Sequence, residues 1–161
     1  MTIISKKARY TIHGLAYIAA FSDDKPIPFG EILGYLRAYS RSLTLSSSYI
    51  AKIFQEVART GFVSAVPGPH GGYQLARPAE EINLVEIIEA LDGPLIHTCC
   101  LLSVGGCNNQ SSCGVNGVVR EGERALYEVF RRETLKSLAV KMQFPDAATV
   151  EAHRTVAGVR R

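Results

Sequence analysis

From residue 6 onward, apolar residues return at helical spacing. Tyr10, Leu15, Ile18 and Phe21, with Ala16, Ala19 and Ala20, make one broad face and predict a first helix over 6–21. Asp23-Asp24-Lys25-Pro26 stops it. After Pro26 and Pro28, the positions Ile32, Leu33 and Leu36 predict a second helix over 28–37, followed by a connection over 38–45. Ser46 or Ser47 then caps a third helix, 47–60, whose apolar positions Ile50, Ile53, Phe54, Val57 and Ala58 keep helical spacing up to Gly61. Next the period changes. Residues 62–66 and 73–76 read as two short strands joined by the Gly/Pro-rich turn 67–72, a β-hairpin. Asn83 caps a helix over 84–92 built on Leu84, Ile87, Ile88 and Leu91, closed by Asp92-Gly93-Pro94. A single amphipathic helix is predicted over 117–141, with Leu126, Val129, Phe130 and Leu138 on its apolar side. Residues 143–161 have weak periodicity and read as a flexible tail.

Helix, helix, serine-capped helix and glycine-tipped hairpin occur in the order of a winged helix-turn-helix. In that arrangement one exposed helix enters the major groove of DNA and the hairpin reaches the neighbouring backbone. The expected fold is therefore mostly α with a small β-hairpin wing, a winged helix-turn-helix domain plus a long C-terminal dimerisation helix. The chain divides into a DNA-binding domain over 1–82, a connecting helix and cysteine-rich loop over 83–116, a dimerisation helix over 117–142 and the tail.

Charge sharpens this picture by its distribution. The net charge is only +3, but residues 1–60 hold eight Lys/Arg against four Asp/Glu, while residues 61–119 hold one against five. A basic N-terminal third suits a polyanion. Lys6, Lys7 and Arg9 form a candidate backbone clamp. Ser46, Ser47, Ser48, Tyr49 and Lys52 open the third helix, where hydroxyls, the helix N-terminus and a lysine suit phosphate oxygens and base edges. His70 and Gly71 at the hairpin tip complete the candidate DNA-binding set, with Gly68, Gly71 and Gly72 expected to supply positive φ. No apolar run approaches the roughly 18 residues of a membrane span, and the first residues lack a signal peptide's apolar stretch. The expected location is cytoplasmic, without a membrane partner. No Gly-x-Ser-x-Gly, phosphate-binding loop or dinucleotide fingerprint is present, and Cys99/Cys100 beside His97 lack an orienting third group, so an enzyme is not expected.

All four cysteines fall within fifteen residues: Cys99, Cys100, Cys107 and Cys113, in a Gly/Asn/Ser-rich stretch. Grouped thiolates in a reducing compartment suit an iron–sulfur cluster or zinc better than a core, and paired Cys-x-x-Cys knuckles typical of zinc are missing.

The segments Lys6-Lys7-Ala8-Arg9-Tyr10, Ser48-Tyr49-Ile50-Ala51-Lys52-Ile53-Phe54, Gly68-Pro69-His70-Gly71-Gly72-Tyr73-Gln74-Leu75-Ala76 and Val85-Glu86-Ile87-Ile88-Glu89-Ala90-Leu91-Asp92-Gly93 occur in this order. Together they resemble the successive signatures of the IscR/NsrR/CymR family of bacterial winged-helix transcription regulators, over about residues 5–141. The resemblance implies a homodimer on a palindromic double-stranded DNA operator and a cluster, 2Fe–2S or 4Fe–4S, on Cys100, Cys107 and Cys113. Six residues separate the first pair and five the second. Cys99 and His13 are further candidate ligands, His13 standing where the first helix of a partner subunit supplies one in some members. His97 and an acidic residue of the partner subunit are the other candidates for the fourth position. The implied function is a repressor sensing iron, redox state or nitric oxide. The alternatives are a cluster-free thiol-redox regulator and an interaction module that does not bind DNA.

Three departures from the family pattern stand out. Pro67 and His70 replace an arginine and a glycine of the usual wing. The stretch 33–45 is longer than the usual helix-turn-helix connection, and its Arg37 and Arg41 read as new phosphate contacts or as solvated loop charges. Asn116 stands where some members have a ligating histidine.

Overall fold

The fold comes from a computed structural model, which describes residues 4–22, 25–42, 45–95 and 115–155. Helix α1 (Lys6–Phe21) is the hub. Its middle turns, Leu15, Ala16 and Ile18, are fully buried, and α2, α3, α4, α6 and the second strand all pack on it. The Ser5 hydroxyl caps it by accepting from the Ala8 N–H at 3.0 Å. Ser5 also donates through its backbone N–H and its hydroxyl to the two carboxylate oxygens of Asp92, at 2.8 and 2.6 Å.

Helix α2 (Phe29–Ser40) runs three residues further than its apolar positions predict. Arg41 ends it with φ 50°, a left-handed cap seldom taken by a residue with a side chain. Arg37 belongs to this helix and is only 4% exposed. Its guanidinium donates to the Leu45 carbonyl twice, at 3.1 and 3.0 Å, and to the His153 carbonyl at 3.3 Å. The expectation that Arg37 contacts phosphate or solvates a loop is thus overturned: it is buried, and each of its three guanidinium nitrogens donates to a backbone carbonyl. Arg41 is exposed.

Helix α3 (Ser47–Arg59) follows Ser46, whose hydroxyl accepts from the Tyr49 N–H. Ile50, Ile53, Phe54 and Val57 are its buried stripe. Phe54 can sit against α1 because Gly14 has no side chain: a Cβ there would lie 2.6 Å from the Phe54 ring.

Strands β1 (Val63–Val66) and β2 (Gly72–Leu75) pair antiparallel, with Val63 opposite Leu75. Ile27 adds a one-residue bridge to Tyr73 through backbone bonds of 2.8 and 2.9 Å. The glycines of the tip are needed for different reasons than expected. Only Gly68 has positive φ (111°). At Gly71 a Cβ would lie 2.1 Å from the Val66 carbonyl oxygen, and at Gly72 2.0 Å from that of Ile27. Close backbone approach, rather than handedness, excludes a side chain there.

Helix α4 (Leu84–Asp92) has a reciprocal cap: the Glu86 N–H donates to Asn83 Oδ1 at 3.0 Å, and Asn83 Nδ2 donates to the Glu86 carboxylate at 2.6 Å. The single helix expected over 117–141 is two. Helix α5 (Asn116–Arg132) stops, and α6 (Leu135–Lys141) begins at a Thr134/Ser137 capping box. Glu133 and Thr134 are extended because they pair with the chain before α4: the Leu84 N–H donates to the Glu133 carbonyl (3.0 Å) and the Leu135 N–H to the Ile82 carbonyl (2.9 Å). Burying Leu135 completely rewards the break. Within the tail, residues 147–155 form a helix that the weak pattern does not predict. Asp146 Oδ1 accepts from the Thr149 N–H at 2.7 Å and starts α7 (Ala147–Thr155), which docks on α2 with Val150 3% exposed. Gly34 lets it close, since a Cβ there would meet the Val150 carbonyl at 2.4 Å.

Replacing Gly72 with alanine should break the Ile27–Tyr73 bridge and cost about 2 kcal/mol of stability. Urea unfolding followed by circular dichroism checks this.

Candidate nucleic-acid interface and cysteine loop

The exposed face of α3 begins at its cap. Ser46, Ser47, Ser48 and Tyr49 are exposed at its N-terminus, and Lys52, Gln55 and Arg59 continue the exposure along the helix. Ser46 and Ser48 share a hydroxyl–hydroxyl bond of 2.7 Å, so one of the pair is already engaged in the cap. Lys52 makes no ion pair among the described residues. A stripe of hydroxyls, an aromatic ring and cations on a helix whose other face is buried is suited to a groove of duplex DNA.

Helix α1 brings its N-terminus beside this stripe. The Tyr10 ring meets the Tyr49 ring edge-on, with centroids 6.4 Å apart. Lys6, Arg9, Tyr10, Tyr39 and Ser40 line an open cleft of about 330 Å³. Lys6 and Arg9 are exposed, as a phosphate clamp requires. Lys7 is not equivalent to them: it pairs with Glu56 of α3 at 2.9 Å and ties α1 to α3. His70 is exposed at the wing tip, and Gly71 closes the tip by donating its N–H to the Gly68 carbonyl at 3.0 Å. The sequence-derived candidates thus fall on the start of α1, the start of α3 and the wing.

His13 lies one turn further along α1 from Arg9 and Tyr10 and faces α2. Its Nδ1 is 3.2 Å from the Tyr35 hydroxyl, and its ring stacks on Tyr39 with centroids 3.7 Å apart. Burial, helped by the Arg9 charge, holds its pKa down to about 4, so the imidazole is neutral at pH 7. The Tyr39 ring covers a face of the imidazole, whereas a ligand would take the in-plane lone pair of a ring nitrogen. Cys99, Cys100, Cys107, Cys113 and His97 lie outside the described residues, and the described residues contain no group of three or more metal-ligating side chains. The described helices bound the cysteine segment: α4 ends at Asp92, bonded to Ser5 at the head of α1, and α5 begins at Asn116.

Sequence reasoning missed Glu123. It is 4% exposed on α5, with Arg120 at 3.3 Å from Oε2 and no hydrogen-bond partner at Oε1. Its neighbours on α5 offered no signal, because a glutamate on a polar helix reads as solvated.

A hairpin wing behind a helix-turn-helix, with the second helix exposed and hydroxyl-rich at its start, defines a winged-helix transcription regulator. The chain belongs to the Rrf2 family: a family model described as an iron-dependent transcriptional regulator matches residues 4–141. It is 28% identical over 145 residues to the transcriptional regulator IscR of Klebsiella pneumoniae, covering 90% of this chain and 84% of that one. Among solved structures it is similar to CymR, the global cysteine regulator of B. subtilis (TM-score 0.69, 23% identity, 89% of this chain and 100% of that one). T. potens IscR is also similar (TM-score 0.64, 23% identity, 87% and 88%). These relatives are regulators, and the chain is a DNA-binding transcription regulator rather than an enzyme. Among the described residues no helix is long and apolar enough to cross a membrane.

Lys52→Ala is expected to weaken duplex binding at every sequence and to lower the slope of log affinity against log salt by about 1. Lys7→Ala should change that slope less, because Lys7 is already neutralised by Glu56. Fluorescence anisotropy across a salt series compares the two.

Proposed function

We propose that this regulator is a homodimeric repressor acting at a palindromic operator and sensing iron, redox state or nitric oxide through an iron–sulfur cluster on Cys100, Cys107 and Cys113. The observation that carries the reading is the placement of all four cysteines within fifteen residues, between α4 and α5, in a chain of a family described as iron-dependent regulators. Soft thiolates are the donors such a cluster takes. Two described groups have donor chemistry for the remaining position: the neutral imidazole of His13 and the unpartnered Oε1 of buried Glu123. Cys99 is the spare thiol. When bound, the cluster supplies an iron centre that oxidants, nitric oxide and iron shortage alter.

The chain's own residues offer a link from that loop to DNA. Asp92, the last residue of α4, holds both donors of Ser5, and Ser5 starts the helix that carries Lys6 and Arg9. In this reading a change at the cysteine segment reaches the proposed phosphate clamp through the Ser5–Asp92 bonds.

Dimerisation is supported by α5. Val115, Val118, Gly122, Ala125 and Val129 follow alternating steps of three and four and are all exposed, with Val118 at 71%. That spacing is the seam of a two-helix contact, and bare Gly122 allows close approach. Two-fold pairing of the chains along this seam matches a palindromic operator.

Two measurements test this. Anaerobic reconstitution should give a coloured protein containing iron and sulfide, and Cys107→Ala should abolish the visible absorption. A colourless, iron-free protein defeats the cluster reading, and disulfides found by mass spectrometry after mild oxidation would then favour the thiol switch. Val118→Glu should weaken self-association by about tenfold or more in analytical ultracentrifugation.

A further inference from the structure

The surface arginines of the basic N-terminal third have an evident use, but Arg37 does not. It is buried and lacks a carboxylate partner among the described residues. Burying a guanidinium is costly unless its donors are met. Each of its three nitrogens has a partner, and the partners are two carbonyls that are far apart in the chain. Nε and Nη2 both donate to Leu45, one residue before the Ser46 cap of α3, and Nη1 donates to His153 in the last turn of α7. The carbonyl end of a helix favours a cation, so α7 meets Arg37 with the right polarity.

The surrounding residues make this arrangement rigid. Leu45 is buried, and its N–H donates to the Ser42 carbonyl at 3.3 Å. The carbonyl of Arg37 itself accepts from the Ser42 N–H (3.2 Å) and the Ser40 hydroxyl (3.3 Å). On the other side, α7 is seated by Gly34, whose missing side chain leaves room for the Val150 backbone, and by Val150, which is almost fully buried. Residues 142–155 lie beyond the stretch that the family model matches.

We infer that Arg37 is a positioning residue for DNA reading, clamping the entry to the recognition helix α3 against the C-terminal helix α7. The fork shape of the guanidinium is essential, because one side chain must serve two carbonyls in fixed directions. A lysine can reach one of them but cannot bracket both. In this account α7 is part of the DNA-reading unit, since moving it withdraws one of the two anchors that hold the Leu45–Ser46 junction. This inference rests on the placement of α3 as the reading helix.

The test uses the full chain in three variants: Arg37→Lys, Arg37→Gln and Gly34→Ala. The last leaves Arg37 and its Leu45 bonds untouched and displaces only α7. The probes are a duplex that the wild-type protein selects from a random-sequence pool and a scrambled duplex of the same length. Affinity for each is measured by anisotropy across a salt series. All three variants should lower the selected-to-scrambled affinity ratio by about tenfold, the loss expected when a base contact is misplaced. The salt slope should stay at the wild-type value even in Arg37→Gln. A merely structural loss would reduce the active fraction for both duplexes alike and leave the ratio unchanged, which overturns the inference. A slope reduced by about 1 in Arg37→Gln, with Gly34→Ala behaving as wild type, makes Arg37 a phosphate contact and overturns it equally. If wild type itself shows no salt-dependent duplex binding, the DNA reading fails at its root and this inference with it.

Discussion

The seating of the Phe54 ring on the bare backbone of Gly14 fixes where the recognition helix lies. Any side chain at position 14 would run into the ring, so α1 and α3 approach to a distance that only glycine permits. From that contact the rest follows outward. Ile50, Ile53 and Val57 turn inward with Phe54, and the opposite face of α3, from Ser48 through Lys52 to Arg59, is left facing solvent. The Lys7–Glu56 pair and the Tyr10–Tyr49 contact bind the edges of the same two helices. The presented stripe is a consequence of core packing, and its chemistry is what remains after the apolar positions are used.

Around this centre the molecule holds the reading unit from both ends of the chain. Ser5 and Asp92 join the head of α1 to the frame of the cysteine loop, and Arg37 joins the entry of α3 to α7. The wing is held by a third device, the Ile27 bridge, which depends on Gly72. Each is a small set of hydrogen bonds, helped in the wing by close backbone approach, that reaches between segments distant in sequence. In the proposed function these ties connect the cysteine segment and the C-terminal helix to the groups assigned to DNA.

Much of this could be read in advance, for definite reasons. The third helix was legible because its cap and its buried stripe follow local rules: serine before the first turn, then Ile50, Ile53, Phe54 and Val57 at helical spacing. The wing was legible from its Gly/Pro turn between two short apolar runs. The misses share a different cause. The break at Thr134 carries one local sign, the Thr134/Ser137 capping box, but its cause is distant: Glu133 bonds Leu84, Leu135 bonds Ile82 and Thr134 bridges Asn83, contacts invisible to periodicity. Helix α7 was hidden because a single buried residue, Val150, suffices to seat it where α2 presents glycine. Arg37 read as a phosphate contact or a solvated loop charge, and Glu123 drew no reading, because a lone charged residue gives no sign of burial. The chemistry of the cysteine segment stays a reading of the sequence, and its place between α4 and α5 comes from the helices on either side.

Reading of duplex DNA by the exposed face of α3 and by the wing is the claim on which everything else here depends. Hydroxyl-radical footprinting of the protein, free and bound to its selected duplex, addresses that claim residue by residue. Protection should appear at Ser48, Tyr49, Lys52 and His70, with the buried stripe of α3 unchanged. Protection confined to α5, α6 and α7, with Tyr49 and His70 as reactive as in the free protein, would contradict it.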